Sequence, residues 1–319
     1  MERLLKSKFK IGEKIGENLF SLTYRGTTLS GEQPVIIKIY KRGTLNSVLI
    51  KSMKEKVKAL QGIESEGIAL LLDGDYGWQG FYYVREFVVG QNLRDFLKNH
   101  NPDPQFALDL VYKIAGILSD AHKIGIIHGA LKPTNIFIKP DNKVVVSDFI
   151  IEGDIRESMP QKAQYILAES DYASPEEILG MPARPSSDAY SLGILLYEML
   201  TGSVPFKGLP LEKISQTAKL PPAPKHISDL LSKCLEKDCL MRFKSMDELL
   251  ESINNRTLFE NKKAVPMVEL ENAPRPEEKV IIVERKEQKR SFFLAIVVLL
   301  AVLAGVIYSI IYSQILAGQ

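Results

Sequence analysis

The sequence predicts an α+β protein in which antiparallel strands come first and long helices later, followed by a linker and a single membrane-spanning helix. Three observations predict it. Early runs such as FKIGEKIG, FSLTYRGT and QPVIIKIY are strand-like and separated by turn residues. A later segment, Pro104 to Gly125, carries Leu110, Ile114, Ile117, Leu118 and Ala121 on one helical stripe. Near the carboxyl end, residues 292–312 hold no charge, and as a helix they would extend about 31 Å against a bilayer core of about 30 Å.

Composition narrows the class further. The chain has 319 residues, 45% hydrophobic and 25% charged, with a net charge of +2, which suits a globular protein with one large core or two ordinary ones. So small a net charge gives no global attraction to nucleic acid, any basic patch would have to be local, and no nucleic-acid partner is expected. The two cysteines, Cys234 and Cys239, have no His or Cys close enough in sequence to suggest zinc, and read as reduced thiols.

Taken in order, three strands lie between Phe9 and Tyr40, then a helix over about Ser47 to Leu60 with Leu49, Met53, Val57 and Leu60 on one face. IALLLDGDYG and GFYYVREFV read as two more strands. The long helix from Pro104 stops at Gly125, a residue suited to the turn after a helix. It delivers the chain to HGALKPTNIFIKPDNKVVVSDF, residues 128–149, where chemistry-bearing residues stand closest together.

That stretch resembles the catalytic loop and metal-binding turn of protein kinases, whose pattern HRDLKPxN, a strand pair and DFG becomes His128, Gly129, Ala130, Leu131, Lys132, Pro133, Thr134, Asn135, then Asp148, Phe149, Ile150. Choline- and aminoglycoside-type phosphotransferases share an HG pair. Later residues favour protein kinases, especially bacterial-type serine/threonine kinases: YASPEE resembles the APE segment, Asp188 heads a helix like the one that anchors the large lobe, and Arg242 matches the arginine that pairs with Glu176. The resemblance covers about residues 9–254. It implies a bilobal protein kinase-like domain over 9–256, with a small lobe over about 9–88 and a large lobe over 89–256.

The resemblance also implies which residues would hold ATP and Mg²⁺. Lys38, ending VIIK, matches the strand lysine that contacts the α- and β-phosphates, and Gly16 is what survives of the glycine-rich loop, with Asn18 and Ser21 at its other two glycine places. Asn135 and Asp148 match the metal ligands, and Lys132 the retained lysine of the catalytic loop. Other places depart from the family. Ala130 replaces the aspartate that accepts the substrate proton, and Gly129 replaces the arginine that reads activation-loop phosphate. Lys56 falls in the slot of the helix glutamate that pairs with the strand lysine, while Glu55 points off the apolar face. Arg85 falls at the gatekeeper, so that it either reaches a carboxylate or narrows the pocket. Glu169 replaces a threonine that helps fix the aspartate, and without an arginine at Gly129 a phosphate on Ser158, Tyr165 or Ser170 lacks its docking charge.

The expected function is a membrane-anchored pseudokinase, a scaffold or nucleotide-dependent switch with a protein partner and weak, Mg²⁺-assisted ATP binding. The alternatives are a slow serine/threonine kinase and an interaction module that binds no nucleotide. Residues 257–290, with Pro266, Pro274, Pro276 and mixed charge, read as a flexible linker. Residues 291–312 read as the span, and Arg285, Lys286, Lys289 and Arg290 before it predict a cytoplasmic kinase-like domain in the cell membrane, with residues 313–319 on the far side. Ala301, Gly305, Ser309 and Ser313 line one face, the pattern of a homodimer through the span.

Overall fold

In the computed structural model the described residues are 4–149 and 171–257. The linker, span and tail expected over 257–319 lie outside them except for Thr257, as do Ile150, Ser158, Tyr165, Glu169 and Ser170. Among the described residues no helix is long and apolar enough to cross a membrane.

The small lobe is a sheet of six strands: β1 (Leu4–Leu5), β2 (Phe9–Glu17), β3 (Ser21–Thr28), β4 (Pro34–Tyr40), β5 (Leu71–Gly77) and β6 (Gly80–Glu86), in the order β1-β2-β3-β4-β6-β5 with antiparallel neighbours. Five of these strands carry a readable pattern; β1 is two residues long, too short for any period. Alternation sorts β4 cleanly. Val35, Ile37 and Ile39 join Tyr82 and Val84 in one core, while Tyr40 joins Phe81 and Tyr83 in the other.

Helix α1 (Ser47–Gln61) covers that second face. Asn46 caps it, its side-chain oxygen accepting the Leu49 N–H at 2.8 Å, and Leu49, Met53, Val57 and Leu60 form its buried stripe. Val57 packs where β5 has no side chain: a Cβ on Gly74 would lie 2.7 Å from a Val57 methyl.

In the large lobe, β7 (Gln91–Asn92) pairs with β8 (Ile136–Ile138), and β8 with β9 (Val144–Val146). The helices are α2 (Leu93–Asn99), α3 (Pro104–Lys123), α4 (Pro175–Ile178), α5 (Pro185–Thr201), α6 (Pro210–Ser215), α7 (Lys225–Cys234) and α8 (Met246–Thr257). Asp103 caps α3 by accepting the Phe106 N–H at 2.9 Å, and Gly125 beyond it takes φ +76°, where glycine avoids a Cβ clash. Helix α5 is buried along most of its length and ends at Gly202 in the left-handed region. Cys234 is buried at the end of α7 and Cys239 partly buried in the turn after it, both as free thiols. The lobes are joined behind the cleft, where the Val146 N–H donates to the Gly67 carbonyl at 2.7 Å and the Ala69 N–H to the Val146 carbonyl at 2.9 Å.

Candidate active site

The loop from His128 to Asn135 is held from below by Asp188 in the first turn of α5. Its carboxylate accepts the backbone N–H of His128 at 2.9 Å and of Gly129 at 2.8 Å, and stands 2.8 Å from the His122 Nε2 at the end of α3. Burial alone would raise the pKa of Asp188; the His122 hydrogen bond, the charges of His122 and His128 and the Gly129 N–H outweigh it and hold the carboxyl below its ordinary value. His128 in turn reaches the Ser147 carbonyl through Nε2 at 3.1 Å, and its ring lies 4.7 Å from that of Phe149. One buried carboxylate therefore fixes both the loop and the strand end that presents Asp148.

A second anchor is the buried pair of Glu176, on α4, and Arg242. The two guanidinium ends meet the two carboxylate oxygens at 2.7 and 2.8 Å. The remaining donors go to the carbonyls of Glu236, Ser186 and Lys237 at 2.6, 3.0 and 3.0 Å. Such a bidentate pair suits burial because every donor is satisfied.

Within the loop the framework is complete and the reacting group is missing. The Asn135 amide donates to the Ala130 carbonyl at 3.1 Å, and the Ala130 N–H donates to His128 Nδ1 at 3.2 Å. The side chain so positioned is a methyl group, which can accept no proton. Lys132 lies close enough for its charge to act on Asp148.

On the upper side of the cleft, β4 pairs Lys38 with Tyr83 and Ile36 with Arg85, so these four side chains share one sheet face. The Lys38 ammonium sits 5.7 Å from the Tyr40 ring centroid. Helix α1 offers it no carboxylate. Its only acidic residue, Glu55, is exposed, Lys56 is half-buried beside the stripe, and the fully buried residue facing the core is Met53. The β2–β3 turn is also self-satisfied. The Asn18 side-chain oxygen accepts the N–H of Phe20 at 2.9 Å, the N–H of Ser21 at 2.7 Å and the Ser21 hydroxyl at 3.0 Å. Backbone N–H groups of this kind are what cradle phosphate in a glycine-rich loop; here the chain's own amide takes them. Gly16 stands opposite Thr23 in the β2–β3 ladder, just after a register shift that follows Lys14.

Asp148 stands in the left-handed region, φ +64°. It accepts a short hydrogen bond from the Tyr83 hydroxyl and one from the Ser147 hydroxyl at 3.2 Å, and Arg85 Nε lies 3.4 Å away, an ion pair not aligned as a hydrogen bond. The gatekeeper arginine thus reaches a carboxylate, the first of its two expected solutions. Burial would raise the Asp148 pKa, but the charges of Arg85 and Lys38, the Tyr83 hydroxyl and the charge of Lys132 hold it well below the usual carboxylate range. Asn135 and Asp148 were expected to hold Mg²⁺. With one Asp148 oxygen taken by Tyr83 and the carboxylate faced by the cations Arg85, Lys38 and Lys132, the arrangement fits a divalent ion poorly.

Sequence reasoning placed Lys38, Ala130, Lys132, Asn135 and Asp148 around the cleft, named Asn18 only as a replaced glycine, and missed Tyr83 and His122. Tyr83 was legible in principle, being two residues before Arg85 on a strand. The roles of Asn18 and His122 depend on side-chain reach, which no pattern encodes.

A bilobal α+β fold with this loop, this buried anchor and this ion pair defines a protein kinase fold. Comparison with known proteins agrees: the protein kinase domain family matches residues 9–253. The chain belongs to that family, among the bacterial serine/threonine protein kinases. It is 30% identical over 78% of its length to a Clostridium perfringens protein named "Probable serine/threonine-protein kinase", covering 38% of that relative, and 26% identical over 80% of its length to serine/threonine-protein kinase PrkC of Bacillus subtilis, covering 41%. The chain therefore spans less than half the length of these two relatives. The crystal structure of the Mycobacterium tuberculosis PknI kinase domain superposes with a TM-score of 0.62 at 16% identity, over 78% of this chain and 96% of that one, which speaks for the fold alone.

Proposed function

We propose that this protein is a membrane-anchored pseudokinase that acts as a scaffold, with a protein partner recognised on its large lobe. The observation that carries the reading is Ala130. The loop around it is built to hold a proton acceptor, and the residue held there has none; loss of a general base typically costs about 10²- to 10⁴-fold in rate. The Asn18-filled turn and the missing helix carboxylate support the same reading, because phosphoryl transfer depends on positioning and charge neutralisation. The test is transfer of labelled phosphate from ATP by the full-length chain in detergent micelles with Mg²⁺ or Mn²⁺. No transfer above that of an Asp148→Asn variant is expected. Transfer that Asp148→Asn abolishes would overturn the reading in favour of a slow serine/threonine kinase.

Retention of Lys38, Lys132 and Asn135 favours a second reading, a nucleotide-dependent switch that binds ATP weakly. A rise in melting temperature with millimolar ATP supports that reading; no rise leaves the scaffold. The basic flank at Arg285 to Arg290 supports a cytoplasmic domain, and protease added to intact spheroplasts should leave it whole. The small-residue face of the span supports a homodimer, which Gly305→Leu should weaken in a membrane reporter.

A further inference from the structure

We propose that Arg85 is the resident counter-cation of Asp148 and that this pairing keeps divalent metal out of the cleft. Arg85 is no mobile surface side chain. It is 7% exposed, its terminal nitrogen donates to the Glu86 carbonyl at 3.1 Å, and its guanidinium lies 5.7 Å from the Phe137 ring centroid in the wall of the large lobe. The cation is held between the lobes and points at one carboxylate.

A Mg²⁺ ion demands oxygen ligands in near-octahedral geometry at about 2.0–2.1 Å. On Asp148, Oδ1 already takes the Tyr83 hydroxyl and lies nearest Arg85, which leaves Oδ2, met by the Ser147 hydroxyl at 3.2 Å, as the oxygen a metal would have to use. A dication bound there would share one carboxylate with the buried Arg85 guanidinium and stand among the charges of Arg85, Lys38 and Lys132, a repulsion that a single carboxylate does not offset. The balance of charge that other proteins reach by binding metal is reached here within the chain.

The inference rests on the pseudokinase reading only through its account of Asp148, so the probe is metal alone, without nucleotide. Terbium(III), a hard cation that takes oxygen ligands, emits when a nearby tyrosine absorbs, and Tyr83 adjoins the carboxylate. In the full-length chain in neutral-lipid nanodiscs, wild type and Asp148→Asn should give the same emission. Arg85→Met should gain a component at least about tenfold tighter than any wild-type site, absent from Arg85→Met/Asp148→Asn, and Mn²⁺ should raise its melting temperature but not that of wild type. Arg85→Lys should behave as wild type, and Arg85→Gln serves if the methionine variant does not fold. Emission from wild type that Asp148→Asn removes overturns the proposal, as does failure of both neutral variants to gain a site. Phosphate transfer by wild type would instead overturn the pseudokinase reading, so the two failures are distinguishable.

Discussion

Two carboxylates, Asp188 fully buried and Asp148 partly so, sit at opposite sides of the same loop and have different partners. Asp188 receives two backbone N–H groups and a histidine, the partners that hold the loop in shape. Asp148 receives a tyrosine hydroxyl and faces an arginine, groups that occupy it without preparing it for a reaction. The difference teaches that the folding frame and the reacting cleft of this molecule answer to separate demands. Groups that hold elements together are paired with one another, and in the cleft Asp148 and the N–H groups of Phe20 and Ser21 are partnered from within the chain.

The largest effect should come from the frame. Arg242→Ala leaves Glu176 charged and buried with only the Ser187 hydroxyl among its former side-chain partners, and breaking such a pair costs about 3–5 kcal/mol. Urea denaturation of the full chain in micelles, followed by circular dichroism, should show that loss. A change below about 1 kcal/mol would show that the frame is no better satisfied than the cleft.

Next in size is the acid limb of stability. Glu176 and Asp188 both have folded pKa values below their ordinary ones, outweighing the burial that would raise them, through Arg242 and Ser187 in one case and His122, His128 and the Gly129 N–H in the other. A depressed carboxyl contributes stability that is present above its unfolded pKa and lost as pH falls through the folded value. Stability should therefore fall from about pH 4 downward, and Asp188→Asn, costing about 1–3 kcal/mol at neutral pH, should flatten that fall. An unchanged acid limb in the variant would remove Asp188 from the account.

The frame was also the more legible half in the sequence. Asp188, Glu176 and Arg242 were placed by the resemblance to protein kinases, and the pair of Glu176 with Arg242 stands as the resemblance implied. The stripe on α1 likewise appeared with the four residues expected. In the cleft the sequence could show what was absent, a carboxylate at Ala130 or in the slot of Lys56, but not what had filled the space. That Asn18 turns back onto two N–H groups, or that Tyr83 reaches Asp148 from another strand, depends on rotamers and on the approach of the two lobes.

A smaller effect is expected at the join of the two regions. Gly129 takes φ +62°, which glycine adopts freely and a side chain adopts at a cost of about 1–2 kcal/mol. Gly129→Arg would restore the residue that reads activation-loop phosphate at that conformational cost. Thermal melting of the variant should fall modestly. A melting temperature equal to wild type would mean that the Asp188 contacts hold the loop against the strain.

The smallest effect is predicted where the chemistry appears most easily repaired. Ala130→Asp places a carboxylate on a loop already fixed by Asn135 and His128, at a partly buried position, so little change in folding is expected. A base acts only if the phosphoryl group is positioned and its charge neutralised. In this cleft Asp148 is engaged by Tyr83 and Arg85, α1 brings no carboxylate to Lys38, and the N–H groups of Phe20 and Ser21 are bound by Asn18. Residues that act as a unit are not recovered one at a time. Labelled-phosphate transfer by Ala130→Asp should therefore stay near the background of Asp148→Asn, and adding Arg85→Met should raise it more than either change alone. Robust transfer by Ala130→Asp by itself would show that Arg85 and Asn18 yield readily to nucleotide and metal, and that the contrast between the two carboxylates is one of resting state only.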